Sequence, residues 1–279
     1  MKKTEIKSIA LDIDGTLLDS NSNIMPKTKK ALLELQDKGI HILLASGRPI
    51  KSMLNLASEL RLEEHEGIIV SNNGSIAYDT KNHKIIYDTP IKKSLVQEIL
   101  KSFNGKPIQP MVESGDYFLV KDVYAGEIRL NGKKLNIMEK EARAGNYLLK
   151  EVDAIEDYID EHVNKILTIV EPEIIEETIN EYKELFEDRV HVVQTSPYFM
   201  EFVRPESNKA YALKQLNLDS ETMMSFGDSM NDRELVEYAK YGVAMGNAQE
   251  GVKEVSTYIT DDNDNEGIYK ALKHFGLVD

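Results

Sequence analysis

Four aspartates stand in two short motifs that could do chemistry together. Asp12 and Asp14 lie two positions apart and are followed by Gly15, which has the backbone freedom for a tight turn. Asp228 and Asp232 lie close together much later in the chain. Carboxylates gathered at one place repel one another unless a cation lies between them, and an all-oxygen ligand set favours Mg²⁺ over zinc. The aspartates therefore predict a magnesium site, to which Asp14 contributes through its backbone carbonyl.

The two N-terminal aspartates also fit the roles of a nucleophile and its acid–base partner. A carboxylate beside Mg²⁺ can attack phosphorus and form an aspartyl-phosphate, which splits hydrolysis into two easier displacements. A second carboxyl group must protonate the leaving alkoxide and later deprotonate water. We expect Asp12 to be the nucleophile and Asp14 to be the acid and base. Asp228 is expected to complete the shell of metal ligands. Asn231 and Asp232 are expected to hold this shell or its waters.

Further polar residues could stabilise the phosphoryl group during transfer. Its oxygens stay charged, so they need positioned donors and cations. The Ser46 hydroxyl and the Gly47 backbone N–H are neutral hydrogen-bond donors. They are expected at the start of a helix, where the helix dipole favours a bound anion. Lys209 is expected to supply a positive charge and to hold the Asp12 carboxylate in place.

Two residues next to these remain open to more than one interpretation. Arg48 either binds substrate or pairs with a nearby acid. Asn73 either contacts substrate or belongs to an ordinary Asn-Asn-Gly turn. The other candidates also have purely structural alternatives. Ser46 could be an ordinary helix N-cap, and Lys209 could be a solvated helix residue. Asp12 and Asp14 could belong to a calcium loop. The calcium loop is disfavoured because Asn23 stands where that loop needs glutamate.

The polar groups follow apolar runs that are typical of buried parallel strands. Ligands bind at the carboxyl ends of such strands, so we expect the side chains to converge there. The predicted strands are 6–11, 40–45, 67–70 and 222–226, with helices at 26–38, 49–60 and 208–216 between or after them. The pattern predicts an α/β fold with a Rossmann-like, doubly wound parallel sheet.

The length of 279 residues favours two domains. The β-α-β pattern stops after residue 86 and resumes near residue 199, and the segment between has short alternating strands and acidic helices. We predict a catalytic core of residues 1–86 and 199–279 with an inserted α+β domain of residues 87–198. The acidic segment 261–266 is expected to be a solvated loop.

Composition narrows the function classes. The chain has no cysteine, which excludes thiolate chemistry and Cys-ligated metals. Its net charge of -14 disfavours nucleic acid and anionic membranes as partners, and no apolar run is long enough to span a bilayer. We expect a cytoplasmic monomer or homodimer whose partner is a small phosphate ester.

The motifs together resemble the haloacid dehalogenase (HAD) superfamily, in its Cof-type branch (subfamily IIB). Asp12-Ile13-Asp14-Gly15-Thr16 is similar to motif one, Ala45-Ser46-Gly47-Arg48 to motif two, Lys209 to the motif-three lysine, and Gly227-Asp228-Ser229-Met230-Asn231-Asp232 to motif four. The stretch Ala244 to Ala248 also resembles that branch. The resemblance implies a C2-type cap domain and substrates among sugar phosphates, nucleotides, flavin mononucleotide and pyridoxal phosphate.

The function expected from these residues is Mg²⁺-dependent hydrolysis of a small phosphomonoester through an aspartyl-phosphate. One alternative is a phosphomutase or phosphotransferase that uses the same intermediate. Another is a non-catalytic sensor of a phosphorylated metabolite, although a sensor is expected to have lost some of the catalytic residues. Specificity is expected to lie in the inserted domain.

Overall fold

The computed structural model describes residues 5–130 and 132–279 and divides into two compact units. The chain up to Tyr87 forms the first unit together with Asn208–Asp279, and Asp88–Ser207 forms the second. Among the residues described, no helix is both long and apolar enough to cross a membrane.

The N-terminal part of the first unit alternates strands and helices as its sequence pattern predicts. Helix α1 begins at a proline. Proline has no backbone N–H, and at the first helical position that group would have no partner within the helix, so no hydrogen bond is lost. The elements are β1 (Ser8–Leu11), α1 (Pro26–Asp37), β2 (His41–Ala45), α2 (Ile50–Glu59), β3 (Ile68–Ser71), β4 (Ile76–Asp79) and β5 (Lys84–Asp88).

The second unit is an α+β insertion built on a six-stranded sheet, with a separate two-stranded hairpin of β8 and β9. Its elements are α3 (Lys93–Ser102), β6 (Ile108–Ser114), β7 (Tyr117–Val120), β8 (Glu127–Leu130), β9 (Lys133–Asn136), α4 (Ile137–Gly145), β10 (Leu148–Glu151), α5 (Ile155–Tyr158), β11 (Lys165–Val170), α6 (Ile175–Phe186), β12 (His191–Ser196) and β13 (Phe199–Val203). The strand order is β10-β7-β6-β11-β13-β12, and only β10 and β7 pair in parallel.

The boundary between the units lies later than the sequence pattern suggested. Strand β13 was expected to open the return to the core, but it pairs antiparallel with both β11 and β12. Its mostly apolar and buried sequence would suit either sheet, so only its hydrogen-bonding partners decide where it belongs. The second unit therefore extends to Ser207.

The C-terminal part of the first unit completes an eight-stranded sheet of order β16-β15-β14-β1-β2-β3-β4-β5. Its elements are α7 (Lys209–Gln215), β14 (Met223–Gly227), α8 (Arg233–Tyr238), β15 (Tyr241–Ala244), α9 (Glu250–Lys253), β16 (Tyr258–Ile259) and α10 (Gly267–His274). The strands from β16 to β3 run parallel, and β4 runs antiparallel to β3.

Strand β1 lies at the point where the strand order reverses. The chain continues from β1 to β2 on one side of it, while β14 pairs with its other side. All four residues of β1 are buried. A doubly wound sheet binds its ligands beyond the carboxyl ends of the strands at such a reversal. The loops that follow β1 and β14 therefore meet where a ligand is expected.

The acidic segment 261–266 is an exposed to half-buried loop, as expected, and two of its acids also bind the N-terminal part of the chain. The Glu266 carboxylate accepts hydrogen bonds from the Thr28 hydroxyl and from the backbone N–H groups of Lys27 and Thr28, each 2.9 Å long. The Asp264 carboxylate accepts two more from Ser20. A carboxylate at the start of a helix satisfies N–H groups that have no helical partner. Two acids of this loop thus fasten it to the beginning of α1 and to the turn before it.

Candidate active site

Three carboxylates meet at the carboxyl ends of β1 and β14. Asp12 follows β1 directly, and its N–H donates to the Phe226 carbonyl on β14 at 3.1 Å. Its side chain is buried. Asp12, Asp228 and Asp232 each offer a carboxylate oxygen within 4.8 Å of the other two. The structure thus brings together three of the four aspartates that the sequence proposed as metal ligands.

A buried lysine lies between two of these carboxylates. Lys209 is 0% exposed, and its Nζ donates to Oδ1 of Asp12 and to Oδ1 of Asp232, both at 2.5 Å. It is the first residue of α7, whose start is capped by the Asn208 side chain. Burial alone lowers the pKa of Lys209, but attraction by the two carboxylates outweighs it and the pKa stands above its ordinary value. The lysine therefore stays charged.

The single positive charge of Lys209 does not neutralise the negative charges of the three carboxylates. Burial, followed by repulsion from Asp232, raises the pKa of Asp12 to about 8 even though Lys209 opposes the shift. The pKa of Asp228 is also raised, first by burial and then by Asp232. A bound divalent cation would offset this excess of negative charge, and its hard-cation chemistry suits carboxylate oxygens. The donor set therefore fits Mg²⁺.

Asp232 has a different set of partners from the other two carboxylates. Its Oδ2 accepts the N–H groups of Asp228 at 3.1 Å and Ser229 at 3.0 Å, while Oδ1 accepts from Lys209. Three donors thus already engage its two oxygens. These contacts fix the loop after β14 and the position of the lysine.

Gly15 occupies a place that only glycine fits. Its φ is +80°, and a Cβ added there would lie 2.7 Å from Oδ2 of Asp228. Its neighbour Thr16 donates from its hydroxyl to Oδ1 of Asp228 at 2.9 Å. Thr16 is not among the site residues that the sequence predicts, although a hydroxyl next to an acidic motif is a signal that could indicate such a contact.

Asp14 does not belong to this group of three carboxylates and pairs with Arg48 instead. The guanidinium donates from Nε to Oδ2 at 2.8 Å and from Nη2 to Oδ1 at 2.5 Å. The Asp14 side chain is 61% exposed. Of the two interpretations of Arg48, the structure therefore displays pairing with a nearby acid, and that acid is the proposed proton carrier.

Ser46 and Gly47 lie in a loop rather than at the start of a helix. Helix α2 begins at Ile50 with Pro49 as its cap, so Gly47 precedes it. The buried Ser46 hydroxyl accepts the Arg48 N–H at 3.2 Å. The helix dipole expected at Gly47 is therefore weaker than the sequence suggests, because Gly47 lies before both the cap Pro49 and the first helical residue Ile50.

Asn73 connects this loop to the loop after β14. Its N–H donates to the Ser46 carbonyl at 3.0 Å, and its Oδ1 accepts from Nδ2 of Asn231 at 3.0 Å. A Cβ on Gly47 would lie 3.1 Å from its carboxamide. Asn73 has a left-handed backbone with φ of 53°. It is thus part of a turn and also a member of the site.

Sequence reasoning missed one further contact with the turn after the nucleophile. Nδ2 of Asn247 donates to the Gly15 carbonyl at 2.8 Å. Asn247 lies in the stretch that resembles the Cof-type branch, but nothing in its local pattern indicates which group it contacts.

Comparison with known proteins places this geometry in a family. A model of haloacid dehalogenase-like hydrolases matches residues 9–272. The 5-amino-6-(5-phospho-D-ribitylamino)uracil phosphatase YcsE of Bacillus subtilis (strain 168) is 31% identical over 98% of this chain and 97% of its own.

Solved structures agree with this match. A haloacid dehalogenase-like hydrolase from Bacteroides thetaiotaomicron is 28% identical, with a TM-score of 0.86 over 96% of this chain and 99% of that one. The HAD subclass IIB sugar phosphatase BT4131 is 25% identical, with a TM-score of 0.77 over 98% of this chain and 100% of that one. The resemblance inferred from the motifs is confirmed. The chain belongs to the haloacid dehalogenase-like hydrolases and is a phosphatase with a doubly wound core and an inserted cap domain.

Proposed function

We propose that this phosphatase depends on Mg²⁺ and hydrolyses a small phosphorylated metabolite through an aspartyl-phosphate on Asp12. The observation that carries the proposal is the buried Asp12 carboxylate at the end of β1, with Lys209 bound to one of its oxygens. A carboxylate is a weak nucleophile unless it is held in position, and this one is held by a fixed positive charge.

In the first step, an Asp12 carboxylate oxygen attacks the phosphorus atom of the substrate. The bond from phosphorus to the ester oxygen breaks, and that oxygen leaves as an alkoxide. Asp14, in its protonated form, donates its proton to the alkoxide so that an alcohol departs. Asp14 exchanges its contact with Arg48 for this one when substrate is bound.

In the second step, Asp14 removes a proton from a water molecule. The water oxygen attacks the phosphorus of the aspartyl-phosphate, the bond to Asp12 breaks, and inorganic phosphate leaves. Asp14 is protonated again and Asp12 is a carboxylate again. The same carboxyl group thus acts as acid and then as base.

Asp12, Asp228 and the Asp14 backbone carbonyl are the groups that would hold Mg²⁺, while Asp232 fixes Lys209 and the loop beside them. When bound, the cation would neutralise negative charge on the phosphoryl oxygens and lower the repulsion between nucleophile and substrate.

The loops around the carboxylates supply donors for the phosphate. The Ser46 hydroxyl and the Gly47 N–H are neutral donors, and Asn73 and Asn231 bring amide groups beside them. Arg48, in the loop that carries Ser46 and Gly47, adds a positive charge. We assign these five residues to binding of the phosphoryl group and of the substrate atoms next to it.

We infer the substrate class from the names of two relatives. YcsE is named for a phosphoribityl compound, and BT4131 is a sugar phosphatase. Both substrates carry a phosphate on a polyhydroxylated carbon chain. We therefore expect the preferred substrate of this chain among phosphates of sugars and sugar alcohols, a class that includes the ribityl phosphate of flavin mononucleotide, ahead of pyridoxal phosphate.

A phosphate-release screen over these compounds tests the proposal. The wild type, Asp12→Asn and Asp188→Asn are each assayed with Mg²⁺ and with EDTA, because Asp188 is an exposed aspartate of the second unit and serves as a matched control. We expect phosphate release by the wild type and Asp188→Asn only with Mg²⁺, and none by Asp12→Asn. Turnover in EDTA, turnover by folded Asp12→Asn, or isomerised sugar phosphate without released phosphate would contradict it.

A further inference from the structure

The Gly15 carbonyl receives a hydrogen bond from a side chain near the other end of the chain. Nδ2 of Asn247 lies 2.8 Å from this oxygen although 232 positions separate the residues. The Asn263 N–H donates to Oδ1 of the same carboxamide at 3.3 Å. Both ends of the Asn247 side chain are therefore engaged, and its orientation is set.

The backbone around Asn247 is fastened to the loop that carries a proposed metal ligand. The Met245 N–H donates to the Gly227 carbonyl at 3.0 Å, and the Gln249 N–H donates to the Asp228 carbonyl at 2.8 Å. Asn247 lies between these two anchors. It therefore links the position of Asp228 to the turn that follows the nucleophile.

Hydrogen bonds within the segment and the bond from Thr16 to Asp228 also define this turn, and the bond from Asn247 adds a restraint at the Gly15 carbonyl itself. Strand β1 ends at Leu11, so Asp14 lies beyond the sheet, and its side chain is largely exposed. Gly15 has a positive φ and no side chain, which leaves its backbone with many accessible conformations. The direction of the Asp14 carboxyl group depends on this turn, and the hydrogen bond to the Gly15 carbonyl restricts it.

A second contact of the same kind lies directly after it. Nδ2 of Asn263 donates to the Leu18 carbonyl at 2.8 Å. Together with Asp264 and Glu266, which fasten Ser20 and the start of α1, Asn247 and Asn263 form what we call the C-terminal clasp. The clasp holds successive points of the chain from Gly15 to Thr28.

We propose that Asn247 is a positioning residue that places the Asp14 carboxyl group for proton transfer. It acts through the Gly15 carbonyl and needs no contact with the substrate. The inference rests on the proposed role of Asp14 as general acid. Displacement of a catalytic group by about 1 Å can cost on the order of 100-fold in rate, so one hydrogen bond at this turn has a measurable effect.

The test compares two substrates that differ in their need for an acid. The p-nitrophenolate ion leaves without a proton, whereas a sugar alkoxide needs one, so only the sugar phosphate depends on Asp14 in the first step. We expect Asn247→Ala to lower kcat/KM about 10-fold for the best sugar phosphate of the screen, and less than about 2-fold for p-nitrophenyl phosphate.

Two further variants make the outcome specific. Asn265→Ala, in the loop of residues 261–266 that also carries Asn263, is the control because the hydrogen bond from the Asn265 carboxamide goes to Asp262 within that loop. It should match the wild type on both substrates. In an Asp14→Asn background, Asn247→Ala should cause no further loss on the sugar phosphate, because both changes remove the same step. Thermal melting establishes that each variant is folded.

Equal losses on both substrates, no loss, or a full additional loss in the Asp14→Asn background would overturn the inference. Failure of the underlying function gives a different result. In that case Asp14→Asn itself would hydrolyse the sugar phosphate as fast as the wild type does.

Discussion

The Arg48 guanidinium binds the Asp14 carboxylate with two parallel hydrogen bonds, from Nε to Oδ2 and from Nη2 to Oδ1. The two residues follow β1 and β2, which are neighbours in the sheet. The pair thus joins the loop of the proposed acid to the loop of the proposed phosphate donors.

Arg48→Lys should be nearly as harmful as Arg48→Ala. Lysine keeps the charge but lacks the planar fork that can bind two phosphate oxygens at once, the contact that we expect Arg48 to make after Asp14 has released it. We expect both variants to lose about 10-fold or more in kcat/KM for a sugar phosphate, since a lost charge-assisted hydrogen bond is worth about 1.5–3 kcal/mol. Steady-state kinetics measures this. A lysine variant as active as the wild type would mean that only the charge matters.

Removal of the Lys209 ammonium should destabilise the core strongly. Lys209→Met leaves Asp12 and Asp232 buried without their counter-charge, which costs about 3–5 kcal/mol in comparable buried pairs. Adding Asp232→Asn removes one of the two orphaned charges and should restore part of that stability. Thermal melting of the metal-free variants measures both effects.

Activity supplies the control for this pair. Neither the single nor the double variant should turn over substrate, because the Asp12 carboxylate is no longer positioned. If the double variant were less stable than Lys209→Met alone, the charge argument would be wrong.

Asp12→Asn should make the metal-free protein more stable while it abolishes turnover. Burial and repulsion from Asp232 raise the pKa of Asp12, so its ionised form is unfavourable near neutral pH when no cation is bound. An amide of similar shape removes that cost. A gain of about 1 kcal/mol corresponds to a melting temperature higher by roughly 2–4 °C.

Melting in EDTA at neutral pH measures this shift. Addition of Mg²⁺ should stabilise the wild type more than the variant, because the variant lacks one carboxylate ligand. A lower melting temperature for Asp12→Asn in EDTA would contradict the prediction.

Gly74→Ala should disrupt the site more than an alanine at another positive-φ glycine does. Gly74 has φ of +91°, and its added Cβ would lie 2.1 Å from the Asn208 carbonyl oxygen, directly before Lys209. Gly105 has φ of +76° with nothing within 4 Å. Gly105→Ala should therefore cost about 1 kcal/mol and leave activity intact, whereas Gly74→Ala displaces α7 and lowers kcat. Equal activity of both variants would refute the packing argument.

His162 should make a small pH-dependent contribution to stability. A hydrogen bond with the Asp88 carboxylate, and attraction by it, raise the pKa of His162 above its ordinary value. The stabilisation is complete below that ordinary value and is lost as pH rises through the raised one. The His162 side chain is 70% exposed, so the effect stays below about 1 kcal/mol.

Comparison of the wild type with His162→Gln by thermal melting tests the sign. The wild type should be the more stable of the two at about pH 5, and the difference should shrink by about pH 8. A difference that grows with pH would reverse the argument.

The sequence predicts the central strands of the core well because β1, β2, β3 and β14 are short, mostly buried apolar runs that end in polar residues. The strand predicted at 40–45 is observed at His41–Ala45, and Lys209 begins its helix as expected. These features are local. Burial on both faces of a parallel sheet leaves a signal in the few residues of each strand.

Contacts between distant segments leave no such signal. The pairing of Asp14 with Arg48 was one of two open interpretations, and the bond from Asn247 to Gly15 was missed. Each depends on a loop conformation that is set by partners far along the chain. The strands of the cap were only partly predicted for the same reason, since their pairing fixes their identity and their bounds.

The covalent intermediate is the most direct test of the account. The enzyme is mixed with the best substrate of the screen and Mg²⁺ and quenched with borohydride, which reduces an aspartyl-phosphate to homoserine. Peptide mass spectrometry then locates the product. We predict homoserine at position 12, and none in the absence of substrate. Steady turnover with Asp12 unmodified, or with the change at another aspartate, would contradict the central claim.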